Sequence, residues 1–211
     1  MAGLVVRLEM KDSDIRDQMR EEMKRDKEDF DRIFDEQVAA YLVDAGFTEK
    51  GKSLYRFRLN VTVGFMRMGG RMMWPGSASW VLAVRHPYVI KHTPEEPPGR
   101  QSLYKEEFPF QFDPMRLATG KDDLHYDPSY IYDGNYGQFE YAGDSPENLE
   151  RDMILLRRYI LDEFMPWAES ITAEDAVEEL TTRGRGMWAE NFWIEQYRKQ
   201  IEAEQDEALK P

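Results

Sequence analysis

The sequence predicts an α+β fold: a mostly antiparallel sheet flanked by a long N-terminal helix and a C-terminal helical segment. Three observations predict it. Apolar residues recur every four positions at Phe30, Phe34, Val38 and Leu42, the signature of one helix face. Short β-rich runs follow at Leu54–Asn60, Val61–Met66 and Ser79–Arg85. Helical spacing then returns at Leu149, Met153, Leu156 and Ile160. Strands grouped between helices, rather than alternating with them, fit an antiparallel sheet.

The elements read as follows. Gly3–Glu9 suits a short strand or an arm. Asp14 to about Ala45 forms one helix. Its first half, Arg16–Asp29, is nearly all charged, with opposite signs three and four apart, which supports a solvated helix. Its second half is amphipathic, with Ile33 and Tyr41 beside the stripe. Gly46 suits the position just past the helix end, where a left-handed conformation costs little, and Phe47 can fold back on the helix.

Gly69-Gly70 and Pro75-Gly76 bracket a loop. Ser79–Arg85 is apolar enough to be buried on both faces. Residues 92–101 hold three prolines and a glycine and form a linker-like loop. Phe108–Phe112 is an edge strand, since Pro109 cannot donate to a ladder. Tyr130–Tyr132, Asp133-Gly134 and Tyr136–Tyr141 form a hairpin.

Asp144-Ser145-Pro146-Glu147 starts a helix, with a capping side chain and a proline in the first turn. Pro166 is predicted to end or kink it. Thr172–Asp175 is a capping box, and Gly184 closes the short helix that follows. Trp188 to about Leu209 is a last helix, with Phe192, Trp193, Tyr197 and Ile201 as its stripe. The division that results is a charged extension (1–27), one α+β domain (28–183) and a helical extension (184–211).

The chain has 211 residues, 41% of them hydrophobic, which suits one domain with a real core. It has no cysteine, so disulfides, thiolate metal sites and cysteine nucleophiles are excluded, and a reducing compartment fits. Leu4-Val5-Val6 is too short for a signal peptide, and Arg7 ends it. No apolar window approaches the roughly 18 residues of a membrane span. The sequence therefore predicts a cytoplasmic protein with no membrane partner.

The net charge is −13, unevenly spread. Residues 51–100 carry 8 bases and 2 acids, whereas residues 101–211 carry 25 acids and 11 bases. The acidic total disfavours nucleic acid as a partner, because phosphates are repelled. It favours solubility or a basic protein partner.

The sequence offers no catalytic set and no cofactor motif. His86 and His92, six apart around Pro87, lack a carboxylate at metal-ligand spacing and read as exposed loop histidines. Asp122, Asp123, His125 and Asp127 are the densest acid-and-histidine group; they suit a polar turn better than an acid/base pair or a cation site. Gly51-Lys52-Ser53 resembles part of a phosphate loop but lacks the upstream glycine and precedes a strand. Tyr126, Tyr130, Tyr132, Tyr136, Phe139 and Tyr141 suit core packing better than base stacking.

The candidate partner-binding residues are Arg67, Met68, Arg71, Met72, Met73 and Trp74, because polarizable methionines with Trp and Arg suit protein interfaces. Their alternative role is to fold back and cap the core.

The helix, then Gly46-Phe47, then Lys50-Gly51 leading into Leu54-Tyr55-Arg56-Phe57-Arg58, resembles the start of a bacterial domain family of unknown function. In that family a GF-x-x-x-G corner enters the sheet. Phe164-Met165-Pro166-Trp167-Ala168-Glu169-Ser170-Ile171-Thr172 is similar to its closing pattern, so the resemblance covers about residues 28–183. It implies a partner-binding protein without established catalytic residues, since some members look like immunity proteins encoded near polymorphic toxins. The charged N-terminal extension, the Met-rich loop and the last helix depart from that family. The expected function is a non-enzymatic module that neutralises a cognate, basic bacterial toxin. The alternatives are an enzyme using the Asp122–Asp127 group, or a module that self-associates through its long helices.

Overall fold

A computed structural model describes residues 12–68, 76–89, 107–112, 114, 138–140, 146–183 and 189–210. Helix α1 (Asp12–Phe34) passes through a π-helical turn (Asp35–Ala39) into α2 (Ala40–Asp44). Among the described residues six strands follow: β1 (Thr48–Lys50), β2 (Ser53–Phe57), β3 (Thr62–Met68), β4 (Ser77–Arg85), β5 (Phe110–Phe112) and β6 (Gln138–Glu140). The C-terminal part is α3 (Pro146–Tyr159), a second π-helical turn (Ile160–Phe164), α4 (Met165–Ser170), α5 (Ala173–Arg183) and α6 (Glu190–Ala208). This is the α+β class the sequence predicts, with every described strand pairing antiparallel.

The helix stops where Gly46 allows it. Gly46 has φ +92°. Its N–H donates to the Val43 carbonyl, and the Phe47 N–H reaches back to the Leu42 carbonyl, both at 2.9 Å. That pair of bonds is a Schellman cap, and buried Phe47 and Leu42 supply its apolar contact. Gly51, at φ +65°, begins the two-residue turn between β1 and β2.

The sheet runs β1-β2-β3-β4-β5. Long β4 pairs with β3 along one edge, while β5 and β6 each take part of its other edge. Side chains alternate along each strand, so the two faces bury different residues. Leu54, Val63, Phe65, Trp80, Leu82, Val84, Phe110 and Phe112 join the helices in the main core. Tyr55, Met66, Val81, Ala83 and Phe108 form a smaller cluster on the other face.

Aromatic rings hold α1 to the sheet. Trp80 stacks with Phe34 at 5.0 Å, with Phe65 at 5.4 Å and with Phe30 at 5.8 Å. The last helix enters the same core: Trp193 and Tyr197 are buried, with Phe192 and Ile201 packed against them.

Two local expectations meet the structure differently. The capping box forms, with Asp175 in the acidic place: the Asp175 N–H donates to Thr172 Oγ1 at 3.1 Å, and the Thr172 N–H donates to Asp175 Oδ2 at 2.9 Å. Pro166 does not end the helical run, which continues to Ser170. The π-helical turn Ile160–Phe164 lies directly before it, and a longer turn re-spaces the carbonyls that a proline cannot serve. The loop at Gly69–Pro75, residues 92–101, most of the Tyr130–Tyr141 hairpin and Gly184 lie outside the described residues.

Candidate functional site

A groove of 190 Å³ opens where the end of α1 meets the β1–β2 corner. Phe34, Ala39 and Leu54 form its apolar floor, and Asp31, Asp35, Glu49, Lys52, Ser53 and Arg67 supply its polar atoms. Three elements place these groups. Asp31 and Asp35 sit one helical turn apart, and the π-helical turn starts at Asp35. Glu49 and Lys52 flank the Gly51 turn. Arg67 lies on β3, two residues beyond Phe65, so its side chain shares the helix-facing side of the sheet.

Arg67 is fixed from several directions. Its Nη1 donates to Asp31 Oδ1 at 3.2 Å, and its guanidinium lies 5.9 Å from the Phe30 ring centre. Its backbone N–H donates to Ser53 Oγ at 3.0 Å. Asp35 has no ion-pair partner of this kind among the described residues. Lost hydration pushes its carboxyl pKa up first, the charges of Asp31 and Glu49 add to this, and Arg67 partly opposes it. The groove therefore holds three carboxylates against one guanidinium and one ammonium, with its spare negative charge around Asp35. It contains no histidine. That chemistry suits binding a cationic side chain.

The predicted partner-binding residues are placed as follows. Arg67 lines the groove. Met68, next along β3, faces the other side of the sheet and packs against the smaller cluster. Arg71, Met72, Met73 and Trp74 lie outside the described residues. So do His92 and the Asp122, Asp123, His125 and Asp127 group.

His86 differs from the exposed loop histidine that the sequence suggests, because it is buried. Its Nε2 lies 3.0 Å from the Ile171 carbonyl, which can only accept, so Nε2 carries the proton. Tyr197 Oη, 3.0 Å from Nδ1, then donates to it. The ring stacks on Tyr88 at 5.2 Å. Burial pushes the His86 pKa down, partly offset by the Ile171 carbonyl and the charge of Glu204. With both ring nitrogens engaged, His86 is a satisfied core group and not a metal ligand. Among the described residues, no group of three or more His, Cys, Asp or Glu side chains is arranged to hold a metal ion. Among them, too, no helix is long and apolar enough to cross a membrane.

Sequence reasoning passed over Asp31, Asp35 and Glu49. The usable signal was the corner itself: Glu49, Gly51, Lys52 and Ser53 follow directly on Gly46-Phe47. What joins them to Arg67 and α1 is strand pairing, which local periodicity does not encode. No family model matches this chain, and no curated protein or solved structure matches it either.

Proposed function

We propose that this chain is a non-enzymatic protein-binding module, an immunity protein that neutralises a cognate bacterial toxin by occluding it. One observation carries the reading. In the groove, Asp35 lies among Asp31 and Glu49 without an ion-pair partner among the described residues; lost hydration first, and then the charges of these neighbours, hold its carboxyl pKa up. A lysine or arginine from a basic partner would relieve that repulsion as it enters.

Two further features support the reading. The net charge of −13 steers a basic protein towards this one. The helix–corner–sheet order around Gly46-Phe47 and the Phe164–Thr172 segment resemble a family with members of this kind. The partner-binding residues in the proposal remain those the sequence suggests, Arg67, Met68, Arg71, Met72, Met73 and Trp74, of which Arg67 lines the groove.

The test is to search the genes beside its own for a toxin and to mix the protein with that gene's product. Complex formation is measured by calorimetry, and growth rescue is measured in cells making the toxin. Asp35→Lys is expected to weaken the complex at least about tenfold, by placing like charge where the partner's cation sits. Absence of both a complex and rescue would sink the proposal.

A further inference from the structure

The buried stripe of α1 does not stop where the core stops. Ile15, Met19 and Met23 continue the line of Phe30 towards the N-terminus, yet they are 41%, 54% and 37% exposed. Beside them run Arg16, Arg20, Lys24 and Lys27, one helical turn after another. Together, Arg16, Met19, Arg20, Met23, Lys24 and Lys27 line a shallow groove of 520 Å³.

Lys24 and Lys27 are spent on Glu28 and Asp31 of the same helix, at 3.9 and 3.8 Å. Arg16 and Arg20 have no ion pair among the described residues. Asp14, Asp17 and Glu21 lie on the opposite side of the helix, and Glu22, which accepts from Gln18 at 3.0 Å, borders the methionines on the side away from the arginines. In an acidic protein, this is a basic, methionine-lined face with nothing described against it. The proposed toxin-binding groove does not use it.

The same chain carries a complement. The end of α6 presents Glu202, Glu204, Asp206 and Glu207, all exposed, and Leu209 follows at 81% exposure. Glu202, Asp206 and Leu209 fall on successive turns of one side. That side offers two carboxylates and one apolar anchor, matching two free arginines and two methionines. Glu204 also accepts from Gln200 at 2.7 Å, which holds it along the helix.

We propose that the N-terminal half of α1 docks the end of α6 from a second copy of this chain, and that the exchange is reciprocal. Each copy then uses both its basic and its acidic face, and a two-fold axis relates the two contacts. Leu209 seats on Met19 and Met23, while Glu202 and Asp206 pair with Arg16 and Arg20. The charge part of the contact is screened by salt, and the apolar part is not.

Sedimentation equilibrium with two charge-reversal variants tests this. Arg16→Glu/Arg20→Glu makes both faces of its chain acidic. Glu202→Lys/Asp206→Lys makes both faces basic. The wild type is expected to dimerise at micromolar concentrations and to weaken as salt rises. Each variant alone is expected to be monomeric, and an equimolar mixture is expected to recover a dimer of one chain of each kind.

Far-UV circular dichroism checks folding, since all four positions are exposed. Met19→Gln/Met23→Gln keeps the helix and the charges and is expected to weaken the dimer at least tenfold. A monomeric wild type would overturn the proposal, whether the face proves free, covered by its own chain or claimed by another acidic protein. So would dimerisation of either charge variant alone, or a mixture that stays monomeric.

Discussion

At Asp35 the carboxylate charge opposes folding. Its folded pKa lies above the unfolded one, so the folded chain holds the proton more tightly. Stability from this group therefore rises as pH falls through the carboxylate range, and at neutral pH the ionised group is a small penalty. Asp35→Asn removes that penalty. The side chain is exposed, so solvent screening limits the gain to about 0.3–0.5 kcal/mol, or a rise of about 1–2 °C in Tm. The same variant is expected to bind the proposed basic partner more weakly. A more stable protein that binds as well as the wild type would separate the raised pKa from function.

His86 has the opposite sign of pH dependence. Burial lowers its folded pKa below the usual value near 6.5. The unfolded chain takes up a proton near that value and the folded chain only at lower pH, so stability is full above it and declines as pH falls. The loss sets in as pH falls through about 6.5 and cannot exceed about 1.4 kcal/mol per pH unit for a single proton. His86→Gln should flatten that part of the profile in urea unfolding. It should also destabilise at pH 7.5, because the Tyr197 hydroxyl and the Ile171 carbonyl lose well-placed partners, at about 1–3 kcal/mol for each group left unpaired. An unchanged slope would mean that His86 titrates alike in both states.

Among the elements, the corner after α2 is the clearest link between sequence and geometry. A Cβ on Gly46 would meet only Arg56 Nε, at 4.0 Å, so space is not the constraint there. The constraint is φ +92°, which an L-residue adopts at a cost of about 1–2 kcal/mol. Gly46→Ala is expected to lose that much by denaturant titration without altering the core. Loss of less than a few tenths would mean that the Schellman bonds to Leu42 and Val43 are not what ends the helix.

Most elements were legible because their causes are local. The four-residue spacing from Phe30 to Leu42, the Thr172–Asp175 box and the apolar run of β4 each lie within a single stretch of chain. The two π-helical turns were not legible. Asp35–Ala39 and Ile160–Phe164 carry ordinary helical sequence, and packing against the sheet and the neighbouring helices decides the extra residue. The burial of His86 escaped for the same reason. Its partners, Ile171 and Tyr197, are 85 and 111 residues away. Of the candidate site, Arg67 was legible by residue type, but the carboxylates that surround it were not.

At the scale of the molecule the two ends are unlike. Residues 14–25 are all exposed and form no part of the core. Residues 189–210 bring Trp193 and Tyr197 to 2% and 0% exposure, and Tyr197 also holds His86. Losing a large buried aromatic costs about 3–5 kcal/mol, and a domain has only about 5–15 kcal/mol to lose. A chain carrying Asp17→Ala, Glu21→Ala and Arg25→Ala, three exposed positions away from the docking face, is therefore expected to unfold cooperatively with a Tm within about 3 °C of the wild type, since solvated surface residues each contribute within about 0.5 kcal/mol. A chain lacking residues 189–211 is expected to lose cooperative unfolding altogether, because its sheet and α5 would present an open apolar face to water. Calorimetry on the substituted and the truncated chain decides the matter. If the C-terminal truncation melted like the full chain, α6 would be an appendage and not a wall of the core.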